Sequence, residues 1–450
     1  MVIPFFMRPA LCALCLILGG LAHAAEQTAE PPGTCTYLPT NHGLNLQEVV
    51  NLALCNNPQT REVWANVQAQ TAQLGVSKAS EFPLIALNAG ESRNWPANSP
   101  AANQQNIGLS ASYLLYDFGA RTSGLESAYQ LLVAANATQD STVQSIFLSA
   151  VRAFYQTQAY FAALDAARVS EQSALASFAA AQARYTAGSA TPADKLSAQT
   201  AYSQATLNRI TAEGNLKKAQ GTLANVLGLD AHKNISLTNA NTDTMPANFS
   251  GNVDALIEQA KLYRPDLQAV AAQAKSAQAN VDVARAAGKP TISLAAANNH
   301  NMIGDSNSRN SSIGINVNVP IFSGYAPTYR VRAAEAQVEA KNAQLERLRL
   351  QVALDVWTAY QNLNTLTQTL QTTADLLDSA TLSERTALGR YKAGLGTMLD
   401  VLNAQSTLAN ARQQRVQATF NWNISRAELA QAMGNLDENL LKTLSGVGSQ

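Results

Sequence analysis

Along residues 312–322, Ile313, Ile315, Val317, Val319 and Ile321 alternate with Ser312, Gly314, Asn316, Asn318 and Pro320. A period of two places one set on each face of a strand, so this run has an apolar face and a polar one. In 107–117, Ile107, Leu109, Ala111, Tyr113 and Leu115 alternate in the same way with Gly108, Ser110, Ser112, Leu114 and Tyr116. Weaker alternation at 84–93 and 291–300 completes two strand pairs. The polar segments 94–106, with Pro96 and Pro100, and 301–311, rich in Asn and Ser, read as their loops. Each pair exits through Tyr116-Asp117-Phe118-Gly119 or Ile321-Phe322-Ser323-Gly324 into a proline-free stretch of helical character, 121–187 and 328–393. At 1.5 Å per residue each of these helices is about 100 Å long. Shorter helices of about 57 Å follow, at 191–228 and 397–434.

The chain is a tandem duplication. Pro58 and Pro265 open matching helices, Pro83 and Pro290 close them, and Tyr155-Gln156 recurs as Tyr360-Gln361. The turns Arg184-Tyr185-Thr186-Ala187-Gly188-Ser189-Ala190-Thr191-Pro192-Ala193-Asp194 and Arg390-Tyr391-Lys392-Ala393-Gly394-Leu395-Gly396-Thr397-Met398-Leu399-Asp400 also correspond. Each reads as a helix end, a glycine free to take positive φ (Gly188, Gly394), and a new N-cap (Thr191, Thr397). Asp194 and Asp400 stand at the reciprocal capping-box position. The organisation expected is a signal segment 1–24, an N-terminal segment 25–57 with a short helix over 45–55, repeat 1 at 58–229, a linker 230–252, repeat 2 at 253–436 and a tail 437–450.

The first segment changes the compartment. Arg8 precedes the apolar run 10–22 and the small-x-small site Ala22-His23-Ala24, which reads as a secretory signal too short to span a bilayer. Export favours a disulfide between the two later cysteines, Cys35 and Cys55. With 31 Lys+Arg against 31 Asp+Glu, charge gives no sign of nucleic-acid binding. His42, His232 and His300 are far apart, and no nucleophile elbow, phosphate loop or metal-ligand spacing occurs. No enzyme activity, cofactor or metal site is expected.

Four strands cannot close a barrel, and an open sheet exposes its edges. An apolar face, a polar face and runs of about 9–11 residues fit a membrane barrel wall, which then needs several copies. Three copies would supply twelve strands around a water-filled bore. The competing reading is an antiparallel coiled coil with a small soluble sheet, acting as a periplasmic scaffold.

The ordered set of features resembles the TolC family of outer-membrane channels. It comprises the duplicated layout, the Arg-Tyr-x-Ala-Gly turns, the two strand exits, Asn57-Pro58 and Arg264-Pro265, over about 45–436. Residues 150–155 and 198–205 are most similar to the family's cyclolysin-secretion branch. The resemblance implies an α+β, mostly helical protein. It forms a homotrimer with a twelve-stranded outer-membrane β-barrel, four strands per protomer, continued by a periplasmic helical barrel. It implies a passive, gated conduit. The tip turns, Ala187, Gly188, Ser189, Ala190 and Thr191 with Ala393, Gly394, Leu395, Gly396 and Thr397, would meet a periplasmic adaptor and an inner-membrane ABC or proton-driven transporter. The implied service is type I protein secretion, with multidrug or metal efflux as the alternative. Asp400 would ring the closed entrance, its three copies raising one another's pKa by repulsion. Asn403 replaces a second gate carboxylate and Gly396 a latch arginine. Tyr391 would pair with Asp194 to hold the closed state. Helix capping alone is the plainer role for both aspartates.

Overall fold

The computed structural model describes residues 43–95, 101–233, 235–238, 252–304 and 306–436. The elements are α1 (Leu46–Asn56), α2 (Pro58–Ala79), β1 (Leu84–Asn94), β2 (Ala102–Tyr116), α3 (Ala120–Thr186) and α4 (Pro192–Val226), followed by α5 (Val253–Tyr263), α6 (Pro265–Ala286), β3 (Thr291–Ile303), β4 (Ser306–Asn318), α7 (Ala326–Lys392) and α8 (Met398–Ala432). The duplication holds helix by helix: α1 and α5 have 11 residues each, α2 and α6 22, α3 and α7 67, α4 and α8 35.

Local chemistry sets the helix starts. Asn45 and Glu48 form a capping box, Asn45 Oδ1 accepting from the Glu48 N–H at 2.9 Å and Glu48 Oε2 from the Asn45 N–H at 2.8 Å. Pro58 and Pro265 occupy first-turn positions of α2 and α6, where a missing N–H costs nothing. At the elbow before α6, Arg264 bridges Asp266 at 2.6 Å and Asp355 of α7 at 2.9 Å. The corresponding Asn57 instead donates to the Val226 carbonyl at 3.3 Å.

The cores are narrow seams between long helices. Midway along them, Val49, Val50 and Ala53 of α1 pack with Ile146, Val151 and Phe154 of α3, Leu223 of α4 and Ala427 of α8. A second seam joins Leu267 to Val352, Val356, Leu363, Trp422 and Leu429. Arg152–Glu428 at 2.7 Å and Arg209–Glu171 at 2.8 Å tie neighbouring helices. Leu350, Leu354 and Trp357, spaced along one face of α7, stay 74, 55 and 47 % exposed, so a single protomer leaves this stripe uncovered. No described helix is long and apolar enough to cross a membrane.

The four strands form one antiparallel sheet in the order β1-β2-β3-β4. Its register extends the alternation across all of them. Ile85, Ala111, Ala296 and Ile313 stand in one row, and Tyr113, Leu294 and Ile315 in another. Val317 opposes Ile292 on that same apolar face. The other face carries Asn88 and Gly108 opposite Asn299, Ser112 and Gly314 around Ala295, and Asn316 opposite Ser293. Phe82, Tyr116, Phe322 and Tyr325, each more than half exposed, gather where the sheet meets the helices, the position of an interfacial aromatic girdle.

Several expected boundaries are corrected. The strands reach further into the polar segments: β2 begins at Ala102, β3 runs to Ile303 and β4 starts at Ser306, so most of 301–311 is ladder, not loop. Backbone pairing needs no apolar side chains, and Asn298 Nδ2 donates to Ser311 Oγ at 2.7 Å across it. At its other end β4 stops at Asn318, because Pro320 has no N–H for the ladder. Helix α5 is the unanticipated counterpart of α1, so the first repeat starts one helix earlier than Pro58 suggests. Leu44 bridges Leu237, which draws part of the linker against the N-terminal segment.

The signal segment 1–24, Cys35, most of 230–252 and the tail 437–450 lie outside the described residues. Cys55 is disulfide-bonded. We expect its partner to be Cys35: mass spectrometry of non-reduced peptides should recover that linked pair, and two alkylatable thiols in the native protein would refute it.

Candidate functional site at the helical tip

The sheet and the two tip turns lie at opposite ends of α3 and α7. Both turns close as the sequence predicts. Gly188 (φ +73°) and Gly394 (φ +76°) take the left-handed conformation that ends the helices. The Ser189 N–H donates to the Arg184 carbonyl at 2.8 Å, and the Leu395 N–H to that of Arg390 at 2.8 Å. Ala187, Gly188, Ser189 and Thr191 are exposed and Ala190 half-buried; Ala393, Gly394, Leu395 and Thr397 are exposed and Gly396 half-buried. Leu395, 74 % exposed, gives the second turn an apolar point.

Both aspartates close capping boxes. The Thr191 hydroxyl donates to Asp194 Oδ2 at 2.8 Å, and the Thr397 hydroxyl to Asp400 Oδ2 at 2.8 Å. Each carboxylate also accepts from its threonine's N–H, at 3.2 and 3.0 Å. The Thr397 donors, backbone first, hold the Asp400 carboxyl below the usual carboxylate range, with Arg390 adding to the effect. Within one protomer the direction is thus opposite to the rise expected from a ring of like charges. The carboxylate stays exposed to solvent, and Asn403, one turn further along α8, is exposed too.

The expected pairing of Tyr391 with Asp194 is absent. Asp194 is engaged by its own cap, and the buried Tyr391 hydroxyl has no hydrogen-bond partner. Tyr391 is held instead by Arg184, a residue of the first turn that sequence reasoning did not single out. The guanidinium lies 4.2 Å from the centre of the Tyr391 ring and donates through Nη2 to the Tyr391 carbonyl at 3.1 Å. That carbonyl lies in the last turn of α7 and also accepts from the Gly394 N–H at 3.1 Å. Arg184 therefore ties the α3–α4 hairpin to the α7–α8 hairpin.

The clamp sits on a small core of Ala181, Ala198, Tyr391, Met398 and Val401. One turn behind it, Gln405 Nε2 donates to Ser177 Oγ at 3.0 Å, again between hairpins. The duplicate tyrosine has another role: Tyr185 is exposed and faces Lys195, 5.3 Å from its ring. At Gly396 an added Cβ would come within 3.3 Å of Arg390 Cβ, so this turn packs closely where the resemblance implied a latch arginine. The described residues hold no cluster of His, Cys, Asp and Glu able to bind a metal.

The profile of the family described as "Outer membrane efflux protein" matches residues 49–229 and 256–435. The chain belongs to this family. The two matched segments are the two structural repeats. Among curated relatives, "Protein CyaE" of Bordetella pertussis is 30 % identical over 88 % of this chain and 85 % of its own length. "Outer membrane protein TolC" of Vibrio cholerae is 25 % identical over 88 % and 91 %. Among solved structures, the Campylobacter jejuni CmeC outer membrane channel superposes with a TM-score of 0.79 at 19 % identity, over 94 % of this chain and 96 % of that one. The open state of the Neisseria gonorrhoeae MtrE outer membrane channel gives 0.76 at 20 % identity, over 91 % and 98 %. As a member of the outer membrane efflux protein family the chain is an outer-membrane channel of tripartite export systems. It is built as a trimer whose strands form one barrel and whose helices continue it into the periplasm. The family is one of channels and transport proteins.

Proposed function

We propose that this channel serves type I protein secretion, receiving cargo from an inner-membrane ABC transporter through a periplasmic adaptor seated on the tip turns. The observation that carries this reading is the 30 % identity with Protein CyaE across nearly the whole chain, together with the likeness of 150–155 and 198–205 to the cyclolysin-secretion branch. The exposed turns around Gly188 and Leu395 give the adaptor its contact surface. The test is deletion of the gene in its host, followed by analysis of the culture medium and of drug and metal tolerance. Loss of large secreted proteins with intact tolerance supports secretion. Unchanged secretion with lost tolerance would assign the channel to efflux instead.

In the trimer, three exposed Asp400 carboxylates around the entrance would concentrate cations and impede anions. Asp400→Ala is expected to lower cation selectivity and weaken block by multivalent cations in planar bilayers, without dissociating the trimer. The effect should be smaller than removal of a double ring, since Asn403 is uncharged. Because the folded-state pKa of Asp400 is depressed, its cap stabilises above the unfolded pKa and is lost as pH falls through the folded value. Cation selectivity should fade over the same acidic range. Unchanged selectivity in the variant would leave Asp400 as a helix cap and nothing more.

A further inference from the structure

Strand parity places two arginines on the apolar, lipid-facing side of the sheet at the end away from the helices. Arg93 continues the face of Ile85, Leu87 and Ala89 and stands one residue before the end of β1. Arg309 continues the face of Val317, Ile315 and Ile313, three residues from the start of β4, with His300 directly across from it. Among the described residues neither arginine is in an ion pair. Arg93 lies over the Trp95 ring at 5.8 Å, and Trp95 is 73 % exposed, as an interfacial tryptophan would be. Glu91, the next outward residue below Arg93, accepts from Gln105 Nε2 at 3.2 Å.

In one protomer β1 and β4 are opposite edges of the sheet, three strand spacings or about 14 Å apart. Closure of the barrel makes each β4 the neighbour of the next copy's β1, about 4.8 Å away. The directions agree, since β1 runs outward from α2 and β4 runs back towards α7. Each seam therefore places Arg309 and the partner subunit's Arg93 on adjacent strands, on the same outward face and towards the end of the barrel away from the helices, with Arg309 in the row of Ala89 by the protomer's own register. Two unpaired guanidiniums at the boundary of an apolar band suit phosphate, which the planar fork of arginine binds in bidentate fashion. We propose that each seam is a binding site for the phosphate groups of outer-leaflet lipopolysaccharide, three sites per trimer. The bound lipid would bridge two protomers and so stabilise the closed barrel. This proposal rests on the outer-membrane barrel described above.

The purified trimer and an Arg93→Ala/Arg309→Ala double variant would be titrated with lipopolysaccharide, with dephosphorylated lipopolysaccharide and with inorganic phosphate. Adducts would be counted by native mass spectrometry and trimer melting followed on unboiled gels. Wild type is expected to carry up to three lipid adducts and to melt higher with lipopolysaccharide. The double variant should need at least about tenfold more lipid, the loss typical of removing charge-assisted hydrogen bonds. Dephosphorylated lipid should behave towards wild type as intact lipid does towards the variant. Asn310→Ala, on the opposite face of β4, should change nothing; should the double variant fail to trimerise, Arg309→Gln alone carries the comparison. Equal binding by wild type and variant, indifference to the lipid phosphates, or displacement of lipid by low inorganic phosphate would overturn the proposal. A wild-type protein that forms no heat-modifiable trimer would instead sink the barrel reading beneath it.

Discussion

Arginine at Val317 is expected to prevent assembly of a stable trimer in the outer membrane, while arginine at the neighbouring Asn316 is tolerated. Val317 lies in the row of Ile292 on the apolar face and is 60 % exposed in the protomer, with nothing of its own chain over it. Near the bilayer midplane a lipid-facing arginine costs roughly 2–4 kcal/mol. A trimer repeats the cost three times, which is comparable to the whole stability of a typical domain. Asn316 opposes Ser293 on the other face, where the bore is wet and a long cationic side chain keeps its hydration. The measurement is the yield of heat-modifiable trimer in outer-membrane fractions, followed by denaturant unfolding of whatever assembles. Equal loss at both positions would mean that this sheet has no bore, and equal tolerance that it faces no lipid.

The faces were legible in the sequence because a strand's period of two leaves a direct trace in side-chain polarity, as in Ile313, Ile315 and Val317. The ladder ends were not, because backbone hydrogen bonds are blind to side chains: Asn307, Ser308 and Asn310 look like loop yet pair with Met302, Asn301 and Asn299. The tip turns were legible residue by residue, since positive φ at Gly188 and Gly394 and the Thr–Asp boxes are local requirements. Contacts between hairpins were not. Arg184 and Tyr391 are 207 residues apart, and nothing in either turn says which of the duplicated tyrosines is buried. That choice follows from the packing of Ala181 and Ala198, two small residues whose neighbourhood admits the Tyr391 ring.

That packing leads to the expectation that Tyr391→Phe leaves the gate intact while Arg184→Ala loosens it. A latch built on the Tyr391 hydroxyl predicts the reverse for tyrosine, since phenylalanine removes the donor. Here the hydroxyl is buried without a partner, so deleting it removes an unsatisfied group and should be neutral or slightly stabilising. Arg184 contributes a cation–π contact at 4.2 Å and a charged hydrogen bond at 3.1 Å. Such interactions are worth about 1.5–3 kcal/mol together in a half-buried site, allowing for their non-additivity. The equilibrium between joined and separated hairpins would shift by on the order of ten- to a hundredfold per protomer. Arg184→Lys keeps the charge but not the fork and should fall between the two. Single-channel recordings in planar bilayers decide it, with uptake of a large antibiotic as the cellular readout. Higher open probability and greater antibiotic sensitivity are expected for Arg184→Ala, and wild-type behaviour for Tyr391→Phe. If Tyr391→Phe opens the channel and Arg184→Ala does not, the hydroxyl latch is restored and the clamp is merely structural.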